Sequence, residues 1–157
     1  MNPEQYFFMY AFPCAYLKVE LGQLSEEDYN ELERQFKQGI IPTREELEKL
    51  FSSAFRRIKI LAREMNKYYW DLDLIKKYWL EEHNKFIGDG EGTYKVMPES
   101  LKDLCRVHVA EIIKKKENLL VVKYGDSERV VFSDILKEVK VGDKVRIHFS
   151  YAVEKLD

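Results

Sequence analysis

The 157-residue chain lacks several features that mark whole classes of protein. Its only cysteines, Cys14 and Cys105, are too few for a disulfide framework, so we expect a reducing, cytoplasmic location. No apolar run is long enough to span a bilayer, and we expect no contact with a membrane. The most apolar stretch, residues 6–17, follows Glu4 without a basic segment and contains Pro13, which is untypical of a signal peptide.

The chain also lacks an excess of one charge. It has 26 Lys and Arg against 28 Asp and Glu, so it provides no basic field for non-specific binding of nucleic acid. Common enzyme motifs are missing too: there is no Gly-rich phosphate loop, no Gly-x-Ser-x-Gly, no His-Glu-x-x-His and no Cys-x-x-Cys. We therefore predict that the protein is not an enzyme and that nucleic acid is not its partner.

Residues 1–88 show apolar residues at helical spacing and predict an all-α bundle. The stretch from Tyr6 to Phe12 is apolar nearly all round, so its helix should lie deep until Pro13 kinks or ends it. One uninterrupted helix is predicted from the Thr43 capping box to Met65. Helix starts are indicated by the capping side chains Asn2, Ser25, Thr43 and Asp71.

The pattern changes after a glycine-rich stretch at residues 88–93, where we place the domain boundary. Beyond it the apolar period drops to two, with short β-branched runs separated by turn residues. Short strands of this kind favour a small barrel that closes its own edges. We predict an α+β protein: helical residues 1–88, a linker at 89–98 and an antiparallel OB-like β-barrel at 99–157.

The C-terminal region carries a set of short motifs in a fixed order. The segments 109–112, 120–125, 129–131, 133–136, 141–148 and 151–157 read V-A-E-I, L-V-V-K-Y-G, R-V-V, S-D-I-L, V-G-D-K-V-R-I-H and Y-A-V-E-K-L-D. In order and in nearly all spacings they resemble the HypC/HupF hydrogenase-maturation chaperones. The resemblance covers about one third of the chain, and the helical domain 1–88 lies outside it.

The resemblance implies a small barrel and a non-enzymatic assembly chaperone or adaptor. Proteins of this family help to assemble the iron part of a nickel–iron centre. They bind a HypD-like scaffold and a hydrogenase large-subunit precursor. The resemblance thus implies protein partners, no stably bound cofactor, and iron only in transit.

Two residues follow from the family as candidate metal ligands, Cys105 and His148. The family uses a cysteine directly after the initiator methionine; residue 2 is Asn2 here, and Cys105 lies near that cysteine's place before the barrel. His148 matches a histidine of the family's last strand, and alternation with Ile147 predicts that it faces outward. The predicted partner-binding residues are Cys105, Arg106, His108, His148 and Tyr151.

Other chemistries remain open. Cys105, His108 and His148 would together make a soft three-ligand metal site, as a thiol- or metal-dependent enzyme would need. Cys14 and His83 are expected to be core residues. The alternative to a chaperone is a barrel that binds single-stranded nucleic acid through Lys114, Lys115, Lys116, Lys123 and Arg146.

Two features of the helical half also have two interpretations. The residues Tyr68-Tyr69-Trp70, with Tyr78 and Trp79, could stack on bases, although helical spacing favours core packing. The basic stripe of Arg56, Arg57, Lys59 and Arg63 is expected to be a solvated face rather than a phosphate site.

Overall fold

The computed structural model describes all 157 residues as a mixed helical and sheet protein. It divides into two compact units, residues 1–82 and residues 83–157. No helix combines the length and the apolar character needed to cross a bilayer. The α-helices are α1 (Pro3–Ala11), α2 (Ala15–Glu20), α3 (Glu26–Gln38), α4 (Arg44–Leu50), α5 (Ser52–Met65), α6 (Leu72–Lys77), α7 (His83–Gly88) and α8 (Glu99–Cys105). The strands are β1 (His108–Lys116), β2 (Leu119–Tyr124), β3 (Ser127–Phe132), β4 (Lys144–His148) and β5 (Tyr151–Lys155).

The predicted helix starts are confirmed by the caps. Each capping side chain accepts a hydrogen bond from the backbone N–H three residues further on. This N–H lies in the first helical turn and has no acceptor within the helix. Pro13 ends α1 as expected, and the chain continues through a 3-10 turn at Phe12–Cys14. The capping side chains are Asn2, Ser25, Thr43 and Asp71.

The prediction of one helix from Thr43 to Met65 was wrong, because the backbone breaks at Phe51. This residue leaves the helical region at φ -117° and ψ 46°, between α4 and α5. Its buried ring lies edge-on to the ring of Phe7, with 5.7 Å between the centroids. Apolar spacing continues across the break, so periodicity alone does not reveal it.

The basic stripe on α5 is only partly a solvated face. Arg57 is 6% exposed, contrary to the prediction, whereas Arg63 is exposed. Arg57 follows Ala54 by three residues and precedes Leu61 by four, so it shares their buried side of the helix. A charged side chain was expected to be exposed to solvent, but the position of Arg57 on the helix places it on the buried side.

The core of the first unit is built around α1, which lies deep as predicted. Phe7 is fully buried and its ring touches four others: Phe51, Phe55, Trp70 and Trp79. Tilted and edge-on contacts of this kind add to the burial of apolar area. The prediction of core packing for the aromatic cluster is therefore confirmed for Trp70, Tyr78 and Trp79 but wrong for Tyr68, which is 60% exposed.

The second unit begins at α7, which is earlier than the expected boundary at Gly88. The side-chain amide of Asn84 donates to the carbonyl of Val107 at 2.8 Å and accepts from its N–H at 2.9 Å. These two bonds join α7 to the chain just before β1, which places the helix with the barrel. The expected linker also contains a 3-10 turn at Gly92–Lys95.

The five strands form a closed barrel in the order β1-β2-β3-β5-β4. Neighbouring strands are antiparallel except β3 and β5, which close the barrel through one parallel pair, Phe132 and Tyr151. Gly125 and Gly142 have φ of 56° and 95°, so these turns use the glycine freedom that the sequence indicated. The barrel core consists of Ala110, Ile112, Leu120, Val122, Val131, Val139, Val145, Ile147 and Ala152.

Candidate functional site

Three of the predicted site residues lie where α8 leads into β1. Cys105 ends α8 and is 1% exposed, so its thiol is closed to solvent in this conformation. Arg106 follows as the C-cap and pairs with Glu99 at 2.6 Å. His108 begins β1. Cys105, Arg106 and His108 therefore lie together at the junction of α8 and β1, but Cys105 is not exposed to solvent.

His148 faces out of the barrel as predicted, but the residue is fully buried rather than exposed to solvent. Its neighbour Ile147 belongs to the barrel core, so alternation does point His148 out of the barrel interior. His83 on α7 lies against it, with 5.1 Å between the ring centroids and 82° between the planes. His83 is itself buried, as predicted. The strand pattern gave the direction of the side chain but not the helix that covers it.

The three side chains considered as an alternative soft metal site, Cys105, His108 and His148, are not grouped together. No group of three or more His, Cys, Asp or Glu side chains lies close enough to hold a metal ion. The ring of His108 instead faces Asp103, with Nε2 at 3.0 Å from Oδ1. Cys105, His108 and His148 are thus not assembled into one three-ligand group.

A polar cluster joins α8 to the barrel at this place. We call it the Asp103 cluster; it contains Asp103, His108, Tyr124 and Arg129. The Tyr124 hydroxyl donates to Asp103 Oδ2 at 2.7 Å and accepts from Arg129 Nη2 at 2.7 Å. The His108 ring stacks on Tyr124 with 4.3 Å between the centroids. These side chains hold one another in a single arrangement.

Arg129 extends the cluster to the turn between β4 and β5. Its Nη1 donates to the carbonyl of Phe149 at 3.0 Å. Phe149 adopts a left-handed conformation with φ 52°, which costs energy in a residue other than glycine. Its N–H also donates to the carbonyl of Leu104, at 3.0 Å. The turn is thus held from α8 on one side and from β3 on the other.

The electrostatics of the Asp103 cluster favour an ionised carboxylate. Burial opposes the charge on Asp103, but the Tyr124 hydrogen bond and the nearby His108 and Arg129 outweigh it and lower the pKa of Asp103. Burial, and then the hydrogen bond to Asp103, raise the pKa of Tyr124. The Asp103 carboxylate is therefore ionised and already hydrogen-bonded, and the cluster stabilises the packing of α8 on the barrel.

The lowered pKa of Asp103 makes the second unit sensitive to acid. A carboxyl with a lower pKa in the folded state stabilises that state above its unfolded pKa of about 3.9, and this contribution is lost as the pH falls further. We expect Asp103→Asn to lower the free energy of unfolding at pH 7, because the substitution removes the charged acceptor of the cluster. The loss should be only about 1 kcal/mol, because the carboxylate is partly exposed to solvent. The difference from wild type should shrink towards pH 3.

Urea unfolding at pH 7 and pH 3 checks this expectation. Asp126→Asn, in the turn between β2 and β3, is the matched control because Asp126 lies outside the Asp103 cluster. An equal difference between wild type and Asp103→Asn at both pH values would contradict the assignment.

Sequence reasoning missed Asp103, Tyr124 and Arg129. A signal existed for two of them, since Tyr124 and Arg129 flank the glycine turn that joins β2 to β3. Nothing local indicated Asp103, because its partners lie 5, 21 and 26 residues further along the chain.

The barrel also exposes an apolar face on β2 and β3. Leu119 pairs with Phe132, and Val121 pairs with Val130, all on the outward side of the sheet. Val130 is 58% exposed and Leu119 is 40% exposed. Tyr151, a predicted partner-binding residue, continues this face on β5, with its ring 5.6 Å from that of Phe132. We call these five residues the apolar face.

The basic residues of the barrel do not all lie on one surface. Lys114 and Lys116 on β1 pair with Val121 and Leu119 and so border the apolar face. Lys115 turns to the other side and donates to the carbonyl of Val139 at 2.7 Å. Arg146 pairs with Glu154 at 3.2 Å. The set predicted for nucleic acid is thus divided, with part of it engaged in the fold.

No protein-family model matches this chain, and no curated protein matches it. The functional proposal therefore depends on the geometry described above and on the motifs of residues 109–157.

Proposed function

We propose that the chain is an assembly chaperone or adaptor of the HypC/HupF hydrogenase-maturation type, acting by binding proteins rather than by catalysis. It would combine an N-terminal helical bundle with an OB-like barrel, in a reducing cytoplasm. The implied partners are a HypD-like scaffold and the precursor of a hydrogenase large subunit. Any iron would pass through during assembly and would not stay bound.

The observation that carries the proposal is the apolar face. Valine, leucine and phenylalanine side chains that stay exposed on adjacent strands mark a protein-binding surface more often than a solvated one. Tyr151 adds an aromatic residue of the kind that dominates binding energy in interfaces. Lys114 and Lys116 at its border favour a partner with an apolar segment flanked by acidic residues.

Because Cys105 and His148 are buried, the proposed function does not use the Cys105 thiol as a reactive or metal-binding group. A thiol that is 1% exposed cannot attack or ligate from this conformation, because it must first reach solvent or a partner. We therefore assign docking to the apolar face, and we assign to the buried Cys105 and His148 a structural role.

Substitution of the apolar face should abolish docking. We expect Val130→Glu to reduce partner recovery at least tenfold, because a carboxylate would be desolvated inside the interface. Val109→Glu is the matched control, since Val109 is a similarly exposed valine (52%) on β1 of the same barrel but outside the apolar face.

The measurement is affinity capture from the native source with wild type and both variants, followed by identification of the proteins. Recovery of a metalloenzyme precursor or its scaffold by wild type and Val109→Glu, but not by Val130→Glu, supports the proposal. Recovery of no such protein, or equal loss in both variants, would overturn it.

The alternative is a barrel that binds single-stranded nucleic acid, and one observation favours it. Phe132 and Tyr151 are neighbouring aromatic rings with Lys114 and Lys116 nearby, and five-stranded barrels bind oligonucleotides on the face of strands two and three. A fluorescent single strand titrated at two salt concentrations tests it. Binding that weakens steeply with salt and is lost in Phe132→Ala would replace the chaperone proposal.

A further inference from the structure

The first unit contains an open pocket lined by residues of the basic stripe and of the aromatic cluster. It measures about 470 Å³ and lies at the C-terminal end of α5. The basic stripe contributes Lys59 and Arg63, and the aromatic cluster contributes Tyr68 and Tyr69. The two meet because Asn66 ends α5 in a left-handed conformation with φ 51° and turns the chain back beside the helix.

The cations of the pocket outnumber its carboxylates. Lys59, Arg63 and Lys67 line it, and the only acid paired with one of them is Asp71, 3.5 Å from the Lys67 ammonium. The nearby Glu48 is engaged by the indole N–H of Trp70 at 3.2 Å. The indole leaves the charge of Glu48 in place, so the three cations face two nearby carboxylates, Asp71 and Glu48, and a net positive charge remains.

On the aromatic side of the pocket, the ring of Tyr68 is exposed and can stack against a ligand. Tyr68 is 60% exposed, and its ring lies 5.0 Å from that of Tyr69. Lys59 lies over the ring of Tyr69, with its ammonium 4.8 Å from the centroid. A hydrogen bond to Glu48, and then burial, raise the pKa of Tyr69, so this hydroxyl stays neutral. The hydroxyl of Tyr68 is hydrogen-bonded to Arg44, but most of its ring stays exposed and can accept a stacked ring.

We propose that this pocket binds a nucleoside phosphate, with its phosphate on Arg63 and Lys67 and its base on Tyr68. Cations alone would suit any anion, but an exposed aromatic ring beside them selects a ligand that is both anionic and planar. The volume falls in the range of small-molecule sites. The same chemistry is offered by a free nucleotide or by the terminal nucleotide of a single strand.

Calorimetric titration of the full chain tests the site with four probes: ATP, tripolyphosphate, adenosine and a 5′-phosphorylated oligouridylate hexamer. ATP, the hexamer or both should bind at least tenfold more tightly than tripolyphosphate or adenosine. Tighter binding of ATP identifies a free nucleotide as the ligand, and tighter binding of the hexamer identifies a strand.

The variants locate the binding site. Tyr68→Ala and Arg63→Glu should each weaken binding at least tenfold. Tyr16→Ala, another exposed tyrosine, and Lys37→Glu, the same charge reversal on α3, should change it less than twofold. Val130→Glu should leave binding unchanged, which separates this site from the apolar face.

Three results would overturn the inference. They are the absence of binding by both ATP and the hexamer at millimolar concentration, an affinity for tripolyphosphate equal to theirs, and equal weakening in the control variants. The last would show that general charge attraction, rather than the pocket, holds the ligand.

Discussion

Phe7→Ala should lower the free energy of unfolding of the first unit by about 3–5 kcal/mol. The ring is fully buried and contacts Phe51, Phe55, Trp70 and Trp79, so its removal leaves a cavity lined by rings that cannot easily move inward. Since small domains are stable by only about 5–15 kcal/mol, this loss would bring the unit close to unfolding.

Tryptophan fluorescence during urea unfolding measures this loss directly. The chain has two tryptophans, and both lie in the first unit, so their emission does not report on the barrel. Tyr68→Ala is the control, because that exposed ring should contribute less than about 0.5 kcal/mol. If Phe7→Ala cost no more than Tyr68→Ala, the aromatic core described here would be wrong.

Arg129→Met should lower the free energy of unfolding of the second unit by about 2–4 kcal/mol. The guanidinium is 9% exposed and donates to the carbonyl of Phe149, to the Tyr124 hydroxyl and to Asp103. Methionine keeps much of the volume but leaves these acceptors without their donor, and a buried acceptor that loses its donor is costly. The strained turn at Phe149 also loses one of its two supports.

Arg146→Met provides the matched control on the same barrel. Arg146 is 25% exposed and pairs with Glu154, and a pair of this kind contributes about 1 kcal/mol or less. Hydrogen exchange of the strand amides measures both variants without a tryptophan signal. Equal losses would show that the Asp103 cluster has no special role in holding the barrel together.

The local structure of this protein could be predicted well from its sequence. Ser25 and Thr43 cap helices as expected, and Gly39 ends α3 in a left-handed conformation. The strands appear where apolar residues alternate or form short β-branched runs, and Gly125 and Gly142 form turns. These predictions succeed because capping, alternation and positive φ depend on residues a few positions apart.

The candidate sites were predicted only in part, for a physical reason. The motifs indicated Tyr151, which lies in the apolar face, but also Cys105 and His148, which are buried. Asp103 and Arg129 of the Asp103 cluster were missed, because they come from separate elements and meet only in the folded barrel.

By itself, then, the sequence determined the two kinds of structure, the capped helix starts and the turns, because these follow from short-range backbone and side-chain preferences. Only the tertiary structure decided what covers each side chain. It buried His148 under α7, broke the helix at Phe51, placed Arg63 beside Tyr68 and left Val130 exposed. Burial depends on elements distant along the chain, and no local pattern carries that information.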